Sequence, residues 1–341
     1  MTEQRFLVVR LSSLGDIVHT FPAVAALRNS FPTAEIVWLT HPRWKLLVES
    51  SSLTTDVWTT ETRSFASLRE ILRRIRGRAF EAAIDYQGLW KSAALSFLAG
   101  VPRRIGFSAE TIREYGVPVL YTDRVRTTQA HIADQNGELS RRAGARHATG
   151  PVKLSVPPVE ESEFREHLRG MGVDRYVALS PGGGWRSKCW PPERFGALCK
   201  MLRDSLGLRC IINHGPGEES LAAAVRDASG DAAPILYNGE LGRLMSLLRN
   251  ALCIVGGDTG PLHLAVALGT PSVALFGPTD PARNGPYRSG SSGSASPIDI
   301  VLRSPHAVTT YKRATQVNPS MLEIEVVTVF ESVRRLAKAR S

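Results

Sequence analysis

The sequence is poor in cysteine, with four thiols in 341 residues, at positions 189, 199, 210 and 253. No two of them form a C-x-x-C pair, so neither a zinc site nor a disulfide frame is expected, and the thiols should be reduced. No apolar run approaches the roughly 20 residues needed to span a bilayer. The opening MTEQRFLVVRLSSLGD has a short strand-like run where a signal peptide would need a longer apolar stretch and a small-residue cleavage site, so the chain is expected to stay in the cytosol. Glycine and proline, 29 and 21 residues, are near average, which excludes collagen-like and disordered classes. The G-x-x-x-x-G-K-[ST] phosphate loop is missing. So is G-x-G-x-x-G: the run Gly182-Gly183-Gly184 comes nearest, but Ser187 stands where its third glycine belongs. A nicotinamide dehydrogenase loses its signature with that absence. Nor is there an Asp-x-Asp pair anywhere in the chain.

What is present is ample apolar material, 43% hydrophobic residues against 22% charged, enough for two cores of ordinary domain size. The formal net charge is +10 and is unevenly spread. Residues 1–150 hold 20 Lys and Arg against 14 Asp and Glu, residues 151–330 hold 18 against 17, and the last eleven hold 4 against 1. A basic first half and tail favour acidic partners, whether nucleic acid, anionic lipid or a phosphorylated small molecule. No aromatic-interleaved basic strand or recognition-helix pattern appears, so nucleic acid is not an expected partner.

Short β-branched runs alternate with helical periods, the rhythm of a parallel α/β sheet. Strands are expected at 6–10, 35–39, 82–85, 176–180, 209–213, 252–255 and 272–276. Helices are expected at 22–30, 64–77, 90–99, 134–144, 160–170, 192–206, 217–229, 241–250, 261–268 and 321–338. The proline-rich stretch Gly150–Glu161 reads as an interdomain connection, giving domains of 1–155 and 156–320. Residues 285–297 are a Gly/Ser-rich loop expected to be mobile. The basic helix in 321–341 carries an apolar stripe, Val326, Val327, Phe330, Val333 and Leu336, and should dock back across the domains. Sites of two such domains lie at the C-terminal ends of their strands, where a cleft would bring two ligands together.

Four loops after strands carry chemistry. Ser12–Thr20 offers hydroxyls at Ser13, close backbone approach at Gly15, and a base and polarising partner in Asp16 and His19, although Asp16 could equally be a helix N-cap. Ser180–Pro191 offers glycine amides to an anion and a point charge at Lys188. Val255–Ala265 ends a strand in glycines and starts a helix whose orphan amides make an anion site around Asp258, Thr259 and Gly260, with His263 one turn on. Its plainer interpretation is Asp258 as N-cap and His263 as a core residue. Glu218, after the strand at 209–213, could accept both ribose hydroxyls or simply favour a helix start. Gln87, Lys91, Arg113 and His131 belong to further polar stretches of the first half.

Taken together, LSSLGDIVHTFPA, DYQGLWKSAALS, Lys188-Cys189-Trp190-Pro191 and GGDTGPLHLAVALGTPSVALFGPTDP, in that order, resemble the ADP-heptose:lipopolysaccharide heptosyltransferases, with features closest to the heptosyltransferase I branch. The resemblance covers nearly the whole chain. It implies an α/β GT-B fold, two Rossmann-like domains with parallel sheets facing a central cleft, and inverting transfer of heptose from ADP-heptose to a Kdo-lipid A acceptor. Asp16 would be the general base. Lys188, Asp258, Thr259, Gly260 and His263 would hold the donor diphosphate, and Glu218 the ribose. Ser13, Gly15, His19, Gln87, Lys91, Arg113 and His131 would face the acceptor. No metal or other cofactor is implied, in keeping with the missing Asp-x-Asp. The partners would be a nucleotide sugar and a lipid-linked acidic acceptor, met by peripheral contact with the cytoplasmic face of the inner membrane. Another sugar or acceptor within the family, or a GT-B sugar-nucleotide epimerase, are the alternatives. The segment 302–321 lacks the cysteines of many relatives.

Overall fold

The computed structural model describes residues 4–288 and 296–339. The expected mobile loop at 285–297 therefore lies largely outside the described residues. Two compact units divide the chain, Met1–Ser155 and Val156–Ser341.

In the first unit, β1 (Arg5–Val9), β2 (Glu35–Thr40), β3 (Asp56–Thr59), β4 (Ala82–Asp85), β5 (Arg103–Phe107) and β6 (Asp123–Val125) form one sheet in the order β3-β2-β1-β4-β5-β6. In the second, β7 (Tyr176–Ser180), β8 (Arg209–Asn213), β9 (Ile235–Tyr237), β10 (Cys253–Gly257), β11 (Ser272–Phe276) and β12 (Asp299–Arg303) run β12-β11-β10-β7-β8-β9. Every pairing is parallel. Each sheet is thus the same doubly wound, Rossmann-like arrangement, with its first and fourth strands adjacent and the order reversing between them. Loops leaving the C-terminal ends of β1 and β4, and of β7 and β10, are the ones such a topology sets at a binding position.

The sequence-based expectation finds seven strands and misses β3, β5, β6, β9 and β12. Four of those five are the outermost strands of the two sheets. A central strand such as β10 or β11 is buried along its whole length and must be a continuous apolar run, whereas β3, β6, β9 and β12 are partly exposed and read as mixed sequence.

Helices cover the sheets: α1 (Leu14–Val18), α2 (Phe21–Ser30), α3 (Lys45–Glu49), α4 (Phe65–Arg78), α5 (Trp90–Leu98) and α6 (Ile132–Arg142) in the first unit. The second has α7 (Pro158–Gly170), α8 (Pro192–Leu206), α9 (Glu219–Ala228), α10 (Leu241–Asn250), α11 (Gly260–Ala267), α12 (Pro281–Asn284), α13 (Pro319–Leu322) and α14 (Val326–Lys338). The single helix expected over 321–338 is two. At the break the Ile324 carbonyl is free of helix bonding and accepts from Trp190 Nε1 at 3.0 Å and Arg194 Nη1 at 2.5 Å.

The apolar stripe of α14 packs within the second unit, against α8 and beside β10 and β11. Val329, Phe330, Val333 and Leu336 join Trp190, Phe195, Leu198 and Val255 in one core, the interior of the second unit. Val327, counted in the stripe from periodicity, is 60% exposed. A second pin is the buried pair of Arg288 and Asp299, at 2.5 Å, with Ser272 Oγ donating to the same carboxylate at 2.7 Å.

Where α8 meets α9 the backbones approach closely: a Cβ on Gly196 would stand 2.6 Å from the Ala228 carbonyl carbon. Backbone cannot yield as a flexible side chain can. Gly196→Ala is expected to lower stability by about 2 kcal/mol, read as a fall in the urea midpoint at unchanged slope.

Candidate active site

In the first unit the apolar strand β1 runs directly into Arg10, a buried cation. Its guanidinium donates to the Tyr86 carbonyl and, through Nη2, to Asp16 Oδ1 at 2.7 Å. Ser13 is the N-cap of α1, and Asp16 stands three residues inside, its Oδ2 accepting from Ser13 N at 3.1 Å and Ser13 Oγ at 2.8 Å. This is a capping box, and it assigns the N-cap to Ser13 in place of Asp16. Both carboxylate oxygens are held, yet the Asp16 side chain remains 45% exposed. The result is a carboxylate fixed in place with part of its surface open to solvent. Gly15 is buried inside α1.

Gln87 follows β4, the neighbour of β1. Its Oε1 accepts from Leu11 N at 2.7 Å and its Nε2 reaches Ser12 Oγ at 3.5 Å, which joins the two strand-end loops. Beneath it Asp85 is fully buried, accepting from Tyr121 Oη at 2.7 Å, Ser92 Oγ at 2.8 Å and the amides of Gln87 and Gly88 at 2.9 and 3.2 Å. Burial pushes the Asp85 carboxyl up from its ordinary value, against the pull of those hydrogen bonds. Gly88 has φ +67° and a Cβ there would meet Phe107 and Ile112 at 3.3 Å, so this turn requires glycine.

His19 is buried, with its ring centroid 5.2 Å from that of His131 in an edge-on contact. His131 caps α6 by accepting from Ala133 N at 3.1 Å, and Asn136 Nδ2 donates to the His19 carbonyl, also at 3.1 Å. The structure thus gathers Ser13, Asp16 and Gln87 at adjacent strand ends and pairs His19 with His131. Lys91 and Arg113 stand exposed, Lys91 on the first turn of α5 and Arg113 next to Ile112. Arg10 and Asp85 were not among the residues singled out by sequence. Their signal was there: each is a charge that closes an otherwise apolar strand run.

In the second unit three strand-end loops converge. A Cβ on Gly182, after β7, would lie 2.0 Å from Glu218 Oε1, so glycine here leaves the Glu218 carboxylate its present place against the backbone. The other oxygen of Glu218, itself after β8, accepts from Gly215 N at 3.0 Å. Lys188 reaches from the β7 loop to the β10 loop, where its ammonium donates to the Asp258 carbonyl and lies 3.6 Å from Asp258 Oδ2. His263 Nε2 is 3.0 Å from Asp258 Oδ1, and Asn284 Nδ2 is 3.5 Å from Oδ2. Burial works to raise the Asp258 carboxyl, but the hydrogen bond from His263, the charge of Lys188 and the Thr279 hydroxyl outweigh it and hold the group at about 2.

Thr259, not Asp258, is the N-cap of α11, its Oγ1 accepting from Leu262 N at 3.4 Å. His263 N bonds the Thr259 carbonyl and Pro261 has no N–H, so the amides of Thr259 and Gly260 are those left at the positive end of the helix. A held ammonium, two amides and a carboxylate within neighbouring loops suit an anion and a diol together. Among the described residues no group of three or more His, Cys, Asp or Glu could hold a metal ion.

Residues 68–298 match the family described as glycosyltransferase family 9 (heptosyltransferase). The chain is 28% identical over 304 residues to lipopolysaccharide heptosyltransferase 1 of Escherichia coli K12, covering 83% of this chain and 91% of that one. It is 27% identical over 296 residues to lipopolysaccharide heptosyltransferase 1 of Pseudomonas aeruginosa, covering 83% and 81%. Among solved structures, the ADP-heptose lps heptosyltransferase II of E. coli is similar with a TM-score of 0.82 at 20% identity over 99% of each chain. The E. coli heptosyltransferase WaaC with ADP gives 0.75 at 23% identity, covering 98% and 100%. These likenesses show the fold, GT-B, with each unit one of its Rossmann-like layers.

A carboxyl that titrates at about 2 in place of 3.8 stabilises the fold only while ionised. Its contribution is whole above the unfolded value and is lost as pH falls through the folded one. Asp258→Asn should therefore be less stable than wild type by about 2 kcal/mol near neutral pH. Urea unfolding at a series of pH values should show that gap closing as the acid limit is approached; a gap independent of pH would contradict the charge assignment.

Proposed function

This chain belongs to glycosyltransferase family 9, and from that premise we propose that it is an inverting heptosyltransferase acting on ADP-heptose and a Kdo-lipid A acceptor. The observation that carries the mechanism is the contrast between two held carboxylates, Asp16 with an exposed face and Asp258 enclosed by Lys188 and His263. Only the first can exchange a proton with a substrate hydroxyl. In the proposed reaction the acceptor oxygen attacks the anomeric carbon and Asp16 takes its proton. The bond from that carbon to the phosphate oxygen breaks, and ADP leaves with the electron pair. Lys188 and the amides of Thr259 and Gly260 stabilise the charge that develops on the diphosphate. Asp258 and His263 position Lys188 and the helix end, and Glu218 accepts the ribose hydroxyls.

This assignment needs no divalent cation, since fixed amides and an ammonium perform the charge stabilisation. The relatives named above support the donor and the lipopolysaccharide acceptor. Gln87, fixed by Leu11 N and within reach of Ser12 Oγ, would serve on the acceptor side, and Lys91 and Arg113 would serve as exposed cations toward an acidic lipid. Another heptose or a differently substituted acceptor would use the same groups.

Among the described residues no helix is long and apolar enough to cross a membrane. We propose peripheral contact with the cytoplasmic face of the inner membrane, supported by the basic first half and by the outward face of α14, where Arg334, Arg335 and Lys338 are exposed.

Purified wild type should transfer heptose to a Kdo-bearing lipid A acceptor with EDTA present throughout. Asp16→Ala should lose about 100-fold or more of kcat while still binding ADP. Retained turnover in that variant would remove Asp16 as the base, and loss of wild-type activity in EDTA would remove the metal-free assignment. Neutralising Arg334, Arg335 and Lys338 together should weaken sedimentation with anionic liposomes; unchanged binding would exclude α14 as the contact.

A further inference from the structure

The segment between β12 and α13 has no helix or strand, yet it is tied down across several strand ends. Thr310 N bonds the Pro278 carbonyl, after β11, at 2.7 Å, and Arg303 Nη2 donates to Thr309 Oγ1, also at 2.7 Å. At its far end Asn318 N bonds the Ser187 carbonyl, after β7, at 3.1 Å. Between these anchors the chain must pass along the edge where the donor-side loops converge. There Arg313 Cζ lies 5.5 Å from the centroid of the Trp185 ring, and Lys188 Nζ lies 5.0 Å from the same centroid. One indole therefore holds two cations from distant parts of the sequence.

Their circumstances differ. Lys188 is engaged by the carbonyl and carboxylate of Asp258, which offset much of its charge before any ligand arrives. Arg313 is exposed and, among the described residues, has no carboxylate partner. A nucleoside diphosphate carries more than one negative charge at neutral pH, and a guanidinium can meet two phosphate oxygens in parallel. We propose that Arg313 is a second phosphate-binding cation of the donor site, held beside Lys188 by Trp185 and carried on a strap that spans the strand ends. The inference rests on the donor reading above and extends it to a segment outside the family match at 68–298. Arg313 would contact the β-phosphate, the part of ADP that AMP lacks.

The test is calorimetric titration of ADP and of AMP into wild type, Arg313→Gln and Arg313→Lys, each checked for an unchanged thermal midpoint. Arg313→Gln should weaken ADP by about tenfold and leave AMP within about twofold, and Arg313→Lys should recover part of the loss. Unchanged ADP affinity in Arg313→Gln, or equal weakening of ADP and AMP, would overturn the role of Arg313 while leaving the donor reading intact. A wild-type chain that takes up no ADP would overturn the donor reading, and this inference with it.

Discussion

The second unit is organised around one buried charge. The Asp258 carboxylate receives His263 from α11 and lies against Lys188 from the loop after β7, with Asn284 of α12 at its edge. An isolated carboxylate in such a place would be costly, and each neighbour offsets part of that cost only while held in position. The constraint is therefore mutual. Lys188 can span from one strand end to the next because glycine at 257 leaves room for its carbonyl, 3.1 Å from where a Cβ would stand. Asp258 stays ionised because His263 and Lys188 hold it, and Thr259 caps the helix in its place.

The first unit solves a related problem with the opposite outcome. Arg10 and Asp16 also pair across a strand-to-helix loop, but here the cation is the enclosed partner and the carboxylate faces outward. Two sheets of identical topology thus present carboxylates beside their switch points, Asp16 after the first strand of one and Asp258 after the fourth strand of the other, with different exposure. Asp16 keeps a side open to solvent while its partner Arg10 is enclosed, whereas Asp258 and Lys188 are enclosed alike.

Much of this was legible in the sequence because strand-end loops are marked by composition. Glycine clusters, a cap residue and a proline at the next helix start identify them, and the central strands announce themselves as apolar runs. The alternative N-cap roles of Asp16 and Asp258 fail for a physical reason: both are good cap residues by type, but each faces a cation, Arg10 in one case and Lys188 in the other, which a linear pattern does not reveal. The same holds for α14, whose apolar stripe predicted burial but could not name the surface that receives it. Asp85 opens the DYQGLWKSAALS motif but carries no role in the sequence reading, because what it does is hold a turn from below. Arg313 could not be read from sequence at all, since its relation to Lys188 passes through an indole more than a hundred residues away in the chain.

The outermost strands were illegible because they are short and chemically mixed, three residues in β6 and three in β9, with Asp56 in β3 and Asp123 and Arg124 in β6. That same character makes them poor templates for another chain. An unpaired row of amides invites further strands to add to a sheet, and brevity together with charge discourages it. The feature that conceals these edges from pattern reading also guards two open sheets against edge-to-edge aggregation.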